Sequence, residues 1–308
     1  MLTTVSEGYK IVFFQSGIFS FVYWNAVFPK YVTPSFEESV VMQPLTEYSQ
    51  KALRKIRFVL TDIDDTLTEN GRLPAASYQA LERLQQVGLK VIPITGRPAG
   101  WCDHITRMWP VDGIVGENGA FYFVYDTEKH KMKRRFWKTE KERTADRKRL
   151  GMLRKHILAA VEGCAVASDQ TYREADLAID FCEDVPALPK ASVEQIVSLF
   201  EKAGAVAKVS SIHVNGWFGN YDKLAMTRIL LEEVFQTDID QAQDQIIFCG
   251  DSPNDAPMFG FFENSVGVAN VLDYEDELEH QPTWLTTKPA AAGFVELSDA
   301  ILHTHSAA

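Results

Sequence analysis

The chain has 308 residues, 42 of them acidic against 31 basic, for a formal net charge of -11. The length exceeds what one core usually holds and suits about two domains. The acidic balance excludes the broad basic face that nucleic acid needs, while leaving small anionic ligands open, because a local cation can reverse the local field.

The four cysteines, Cys102, Cys164, Cys182 and Cys249, are scattered without C-x-x-C spacing. That pattern argues against a disulfide framework or a zinc site and makes a reducing cytoplasm the default location. Near the start, residues 11–28 read IVFFQSGIFSFVYWNAVF. Gln15, Ser16, Ser20 and Asn25 interrupt the run, which is marginal for a membrane helix and lacks the flanks of a secretory signal. Three readings stay open for this region: a start at Met42, a loosely attached extension, or an interfacial anchor. Residues 1–50 are accordingly set apart as an N-terminal extension.

From about residue 56 the pattern is strand, helix, strand. IRFVLTDID is a short apolar run. Ala76, Leu81, Leu84 and Val87 then recur near helical spacing, and Gly88 closes the segment. LKVIPIT is a second strand, Pro98 opens a helix toward Met108, and DGIVGENGA is a third short strand with a turn. This alternation predicts an α/β, Rossmann-like core whose parallel sheet is covered by helices. Residues 126–138 are charged and read as hairpin or loop. A long helix follows over 140–161, then a strand in ADLAIDFCE, a helix over 189–203, and a single strand in AVAKVSSIHVNGW ending at Gly216. The βα rhythm resumes with a helix over 222–235, the strand DQIIFCGD, the strand SVGVAN, and a last helix over 293–302. The expected division is a core of 51–125 and 219–308 with an α+β cap of 126–218 inserted between its halves.

Four stretches fall at strand ends or helix starts: DIDDT at 62–66, TGR at 95–97, YDK ending at Lys223, and GDSPND at 250–255. In an open parallel sheet, ligands bind beyond the carboxyl ends of the strands. Asp62 and Asp64 sit where the chain turns, so both can face one cleft. One can attack phosphorus while the other donates a proton to the leaving oxygen and later activates water. Asp251 completes an oxygen-rich cation site that favours a hard ion, and magnesium is the one usually shared with phosphate. Thr95 offers a hydroxyl and a backbone N–H to a phosphoryl oxygen, and Lys223 offers a point charge to the same group. Cation and lysine together also answer why like charges cluster at 62–65.

DIDDT, ITGR, Lys223 and GDSPND, in that order, resemble the four motifs of the haloacid-dehalogenase superfamily. The position of the insertion, ENGA at 117–120 and TTKPAAAG near the end resemble its subfamily IIB of Cof-type and sucrose-phosphatase-like sugar phosphatases. The resemblance spans about residues 56–303. It implies Asp62 as nucleophile and Asp64 as general acid/base. It also implies magnesium on Asp62, Asp251 and the backbone carbonyl of Asp64, with Asp255 as a further carboxylate on the metal side. Thr95 and Lys223 would bind phosphoryl oxygens, and Asn254 would help place Lys223. Asp222, beside Lys223, is a competing partner for that lysine.

Asp65 reads as a turn cap. Arg97 either grips an anion or pairs with the acidic cluster, and Asn118 either touches substrate or holds its loop. In the cap, Ser211, His213, Asn215 and Trp217 recur with period two and share one strand face. That face either reads a substrate polyol or is simply the wet side of a sheet. The expected activity is magnesium-dependent hydrolysis of a small phosphorylated metabolite, a sugar phosphate. A phosphomutase of the same superfamily and a receiver-like phosphoaspartate signalling domain remain as alternatives. No nucleic-acid or membrane partner is expected.

Overall fold

The computed structural model describes residues 5–6, 9–10 and 42–305. The chain divides into two units, Met1–Ser39 and Val40–Ala308. In the first, strand β1 (Val5–Ser6) pairs antiparallel with β2 (Tyr9–Lys10). The apolar run over 11–28, with its three readings, lies outside the described residues. Among the described residues, no helix is long and apolar enough to cross a membrane.

The second unit begins with β3 (Gln43–Pro44) and a short helix α1 (Gln50–Leu53). It continues through β4 (Phe58–Thr61), α2 (Ala75–Gln86), β5 (Lys90–Pro93) and α3 (Ala99–Met108). Next come β6 (Ile114–Gly116), β7 (Phe121–Asp126) and β8 (Lys131–Phe136). The inserted elements are α4 (Glu140–Ala160), β9 (Ala165–Val166), β10 (Leu177–Asp180), α5 (Lys190–Lys202), β11 (Val206–Val209) and β12 (His213–Trp217). The return leg is α6 (Lys223–Phe235), β13 (Ile246–Gly250), α7 (Ala256–Phe261), β14 (Ser265–Gly267), β15 (Trp284–Leu285) and α8 (Ala290–His305).

Six strands form a parallel sheet in the order β3-β15-β14-β13-β4-β5. Both faces are covered, as all-parallel sheets require. Along β4 the pleat sends Val59 into a cluster with Leu81, Leu84, Phe294 and Leu297, and Phe58 and Leu60 into a cluster with Met226, Leu230 and Phe259. That is why the strand reads as a continuous apolar run. Residues 42–50 depart from the expected extension. Gln43–Pro44 form the edge strand beside β15, while Leu45 and Tyr48 are buried, with Tyr48 stacked on Trp284 at 4.4 Å.

Two other sheets differ in detail from the sequence expectation. β6 leads an antiparallel sheet β6-β7-β8, joined to the parallel sheet through the single bridge Ile94 to Val115. The expected boundary at 126 thus falls inside a hairpin. The stretch 205–217 is two strands, because Ser210 Oγ accepts the N–H groups of Ile212 and His213 and turns the chain without glycine or proline. β11, β12, β10 and β9 make a four-stranded antiparallel sheet. Leu150, Leu153 and Ile157 of α4 and Ile196 and Phe200 of α5 pack with its Leu177, Ile179 and Val214.

One glycine places an element of the site. Gly119 has φ +103°, and a Cβ there would lie 1.9 Å from the Asp222 carbonyl oxygen, at the start of α6. Gly119→Ala is expected to lower unfolding stability by at least about 2 kcal/mol, through left-handed strain plus this clash. Gly151, inside α4 with open space where a Cβ would stand, is the control: Gly151→Ala should raise stability by about 0.5–1 kcal/mol. Chemical denaturation of the two variants checks both signs.

Candidate active site

β4, β5 and β13 lie side by side, so their carboxyl ends share one edge of the sheet. Asp62 and Asp64 follow β4, Thr95 and Arg97 follow β5, and Asp251 and Asp255 follow β13. Lys223 opens α6. Asp222 is the cap of that helix, its carboxylate accepting from the Ala225 N–H at 2.7 Å, so it does not compete for the lysine.

Lys223 instead reaches across the molecule. Its Nζ donates to Asp62 Oδ1 at 2.8 Å, to Asp255 Oδ1 at 2.7 Å and to Asn254 Oδ1 at 3.2 Å. Asp62, Asp251 and Asp255 are all buried, and one carboxylate oxygen from each falls within 4.8 Å of the others. With all three ionised, one ammonium leaves two negative charges uncompensated in a desolvated space. Burial, set against the attraction of Lys223, raises the Asp62 carboxyl to about 7. Burial and then the Asp255 and Asp62 charges push Asp251 well above its ordinary range. Burial alone would lower the Lys223 ammonium, but Asp255 and Asp62 outweigh it and raise the net value.

Asp64 is held from the other side. Arg97 Nε and Nη2 donate to its carboxylate at 2.7–3.0 Å. The same guanidinium donates to Glu183 Oε1 at 3.2 Å, and Glu183 Oε2 lies 2.8 Å from His213 Nε2. Arg97 therefore pairs with the acidic groups, one of the two readings open from the sequence. The proximity of His213, opposed by burial and joined by Arg97, lowers Glu183 to about 2. Asp65 closes its turn with φ +54°, donating its N–H to Thr68 Oγ1 at 3.1 Å.

Three other expected contacts differ. The Thr95 N–H is already bonded to Val115 O at 2.9 Å, because the strand continues through the bridge at Ile94. Only the Thr95 hydroxyl, which accepts from Arg97 N at 3.0 Å, retains a proton to offer. Trp217 faces away from the cleft. It stacks on Tyr221 with centroids 5.7 Å apart and donates Nε1–H to Tyr221 O at 3.3 Å, as part of the hydrophobic core. Asn118 is buried with φ +53°, packed against Gly96, and its N–H donates to Thr95 O at 3.1 Å. It holds the loop, and it does not line the cleft.

His213 and Asn215 do line the cleft over Asp62, together with Asp64, Arg97 and Asn254. The free volume there is about 20 Å³.

Four residues that sequence reasoning passed over matter here. Asn270 donates to the Asp65 carbonyl at 3.1 Å and to Asp251 Oδ2 at 3.3 Å. Glu117, fully buried, accepts the N–H groups of Ala99, Glu174, Ala175 and Asp176 at 2.6–3.3 Å. Arg173 donates to Gly96 O at 3.0 Å and is held by Asp169 and Asp176. Glu183 is the fourth. Their partners lie far away in the chain, so no local spacing marks them; the local signals are a strand-end Asn in GVAN and the ENGA stretch that begins with Glu117.

Residues 59–147 match the family described as haloacid dehalogenase-like hydrolases. No curated protein matches the chain. Among solved structures, the C-terminal domain of a trehalose-6-phosphate phosphatase from C. albicans superposes with a TM-score of 0.62 at 12% identity, covering 85% of this chain and 99% of that one. A sucrose-phosphatase from Synechocystis, solved with sucrose and phosphate, gives 0.55 at 17% identity, covering 80% and 98%. A haloacid dehalogenase-like hydrolase from Bacteroides thetaiotaomicron gives 0.55 at 15% identity, covering 80% and 99%. At such identities the likeness is one of fold. The family signature thus covers residues 59–147, and the likeness of fold to these structures covers most of the chain.

Proposed function

We propose that the chain hydrolyses a small phosphomonoester, a sugar phosphate, with Asp62 as nucleophile and Asp64 as general acid and base. The observation that carries this reading is the buried contact of Lys223 with Asp62 and Asp255, next to Asp251. A capping or turn-forming role would leave these carboxylates near water, whereas here three segments bring them and Lys223 into one desolvated space. The sugar phosphatases among the structural neighbours support the substrate class.

In the first step an Asp62 oxygen bonds to phosphorus as the ester P–O bond breaks, and the leaving oxygen takes a proton from Asp64. In the second, Asp64 takes a proton from water, the water oxygen bonds to phosphorus, and the bond to Asp62 breaks, releasing phosphate. Lys223 holds Asp62 in place and offsets charge on the transferring group, with Asn254 steadying the lysine. The Thr95 hydroxyl donates to a phosphoryl oxygen. Arg97 fixes the rotamer of Asp64 by its two-point contact.

The donor set fits a magnesium ion: it is all oxygen, buried, and two negative charges in excess when ionised. Asp62, Asp251, Asp255 and the backbone carbonyl of Asp64 would hold it. When bound, such an ion supplies charge stabilisation on phosphoryl oxygens.

Asp62→Asn should cut phosphate release by about 10⁴-fold or more while leaving the far-ultraviolet circular dichroism unchanged. Turnover near the wild-type rate in this variant rejects the assignment. A second expectation concerns stability without divalent ions. Asp62 goes from 3.8 when unfolded to about 7 when folded, so the folded state binds the extra proton. The stability this group contributes is complete below about pH 4 and is lost as pH rises through about 7. Glu117, raised to about 8 by burial and by Asp176, acts in the same direction. Magnesium needs the ionised carboxylates, so its increment to the melting temperature should grow over the same range. Asp251→Asn should flatten that growth. An increment independent of pH, or unchanged in this variant, contradicts the metal assignment.

A further inference from the structure

Asp64 borders two cavities. One is the polar cleft over Asp62, with about 20 Å³ free, too little to take a hexose as well as a phosphoryl group. The other, of about 430 Å³, also has Asp64 in its wall and is within the size range of small-molecule sites. Its walls are apolar and aromatic: Ile63 and Leu73 from the loop after β4, Trp101, Ile105 and Trp109 from α3 and its end, and Tyr172 from the insertion. Trp101 and Tyr172 are 42% and 58% exposed, so the fold itself does not bury these rings. The Arg97 guanidinium, part of the polar cleft, lies over the Trp101 ring of the second cavity at 4.5 Å while gripping Asp64, which lines both.

Two polar groups of the insertion at the cleft are already engaged: Asn215 donates to Asp176 at 3.1 Å, and Arg173 is held by Asp169 and Asp176. The buried His213 Nε2 lies 2.8 Å from Glu183 Oε2 without the geometry of a hydrogen bond. A polyol placed against Asn215 and Arg173 would have to break their pairs.

We propose that the aromatic cavity binds the sugar ring of the substrate, with the phosphoryl group over Asp62 and the ester oxygen beside Asp64. The inference rests on the phosphatase reading above and names the surface that selects its substrate. A pyranose presents an apolar C–H face, which stacks on Trp101 and Tyr172, while its hydroxyl edge points to the open mouth and stays hydrated. Apart from Asp64, few wall groups can read hydroxyls. Thr68 Oγ1 already donates to Ile63 O and accepts the Asp65 N–H, which leaves His104, the Tyr172 hydroxyl of the exposed rim and the indole N–H groups of Trp101 and Trp109. The site therefore selects for a ring and discriminates weakly among hydroxyl epimers, since strong rejection needs buried polar partners left unpaired.

The test compares kcat/KM for glucose 6-phosphate, galactose 6-phosphate and acyclic glycerol 3-phosphate in the full chain. The wild type should prefer both hexose esters to the acyclic one and separate the two hexoses by no more than about threefold. Trp101→Ala and Tyr172→Ala should each reduce the ring-to-acyclic ratio by about tenfold, mainly through KM, with Trp101→Phe recovering most of it. In parallel, glucose 6-phosphate titrated into Asp62→Asn should quench tryptophan fluorescence, and the quench should vanish when Trp101→Ala is added. An unchanged ratio in both alanine variants, or a quench indifferent to Trp101, overturns the ring site and leaves the phosphatase reading standing. Phosphate release from none of the esters overturns the phosphatase reading, and the quench alone then decides the ring site.

Discussion

A buried ammonium held between carboxylates is the constraint on which the rest of this molecule depends. Lys223 and Asp62 lie 161 positions apart, yet both are almost fully desolvated and in contact. Leaving either charge unpaired in such a place costs several kcal/mol, so the pairing must be secured by structure on every side. The sheet order sets β13 next to β4, which brings Asp251 and Asp255 to Asp62. The close approach of Gly119 to the Asp222 carbonyl seats the first turn of α6, from which Lys223 extends. Thr66 and Asn270 then anchor Asp251 from outside the cluster. The arrangement is poor as a stabilising core and well suited to a site that must receive an anion and a divalent cation together.

The inserted sheet is tied to this edge at the cleft largely by polar groups. Glu117 gathers three consecutive backbone N–H groups at 174–176 and one at the start of α3. Arg173 returns a bond to Gly96, and Arg97 is divided between Asp64 on the core side and Glu183 on the other. Asp64 is therefore linked through Arg97 to the position of the inserted segment, which connects the proton-transfer residue to whatever occupies the cleft.

The parts visible in the sequence share a physical origin. Apolar runs ending in carboxylates mark strand ends, and a buried parallel strand cannot hide its composition, so β4, β5, β13 and the grouping of Asp62, Asp64, Thr95, Asp251 and Lys223 at one edge were legible. What was not legible depends on long-range partners or on turns without a local signature. Ser210 turns the chain between β11 and β12 with its side chain, so 205–217 read as one strand. Trp217 has the correct period for the cleft face, but the stack with Tyr221 turns it into the core. β3 is two residues long and ends in proline, too short to show a period. Arg97 was ambiguous because its choice between anion and acidic cluster depends on Glu183, 86 residues away.

The most direct measurement is to quench the reacting enzyme in acid during turnover of a sugar phosphate, reduce it with borohydride, and map the peptides by mass spectrometry. An acyl phosphate on a carboxylate is reduced to an alcohol, so the account predicts homoserine at position 62 and at no other aspartate. Turnover with the phosphoryl group trapped on a different side chain, or with homoserine at position 64, 251 or 255 instead, would contradict it.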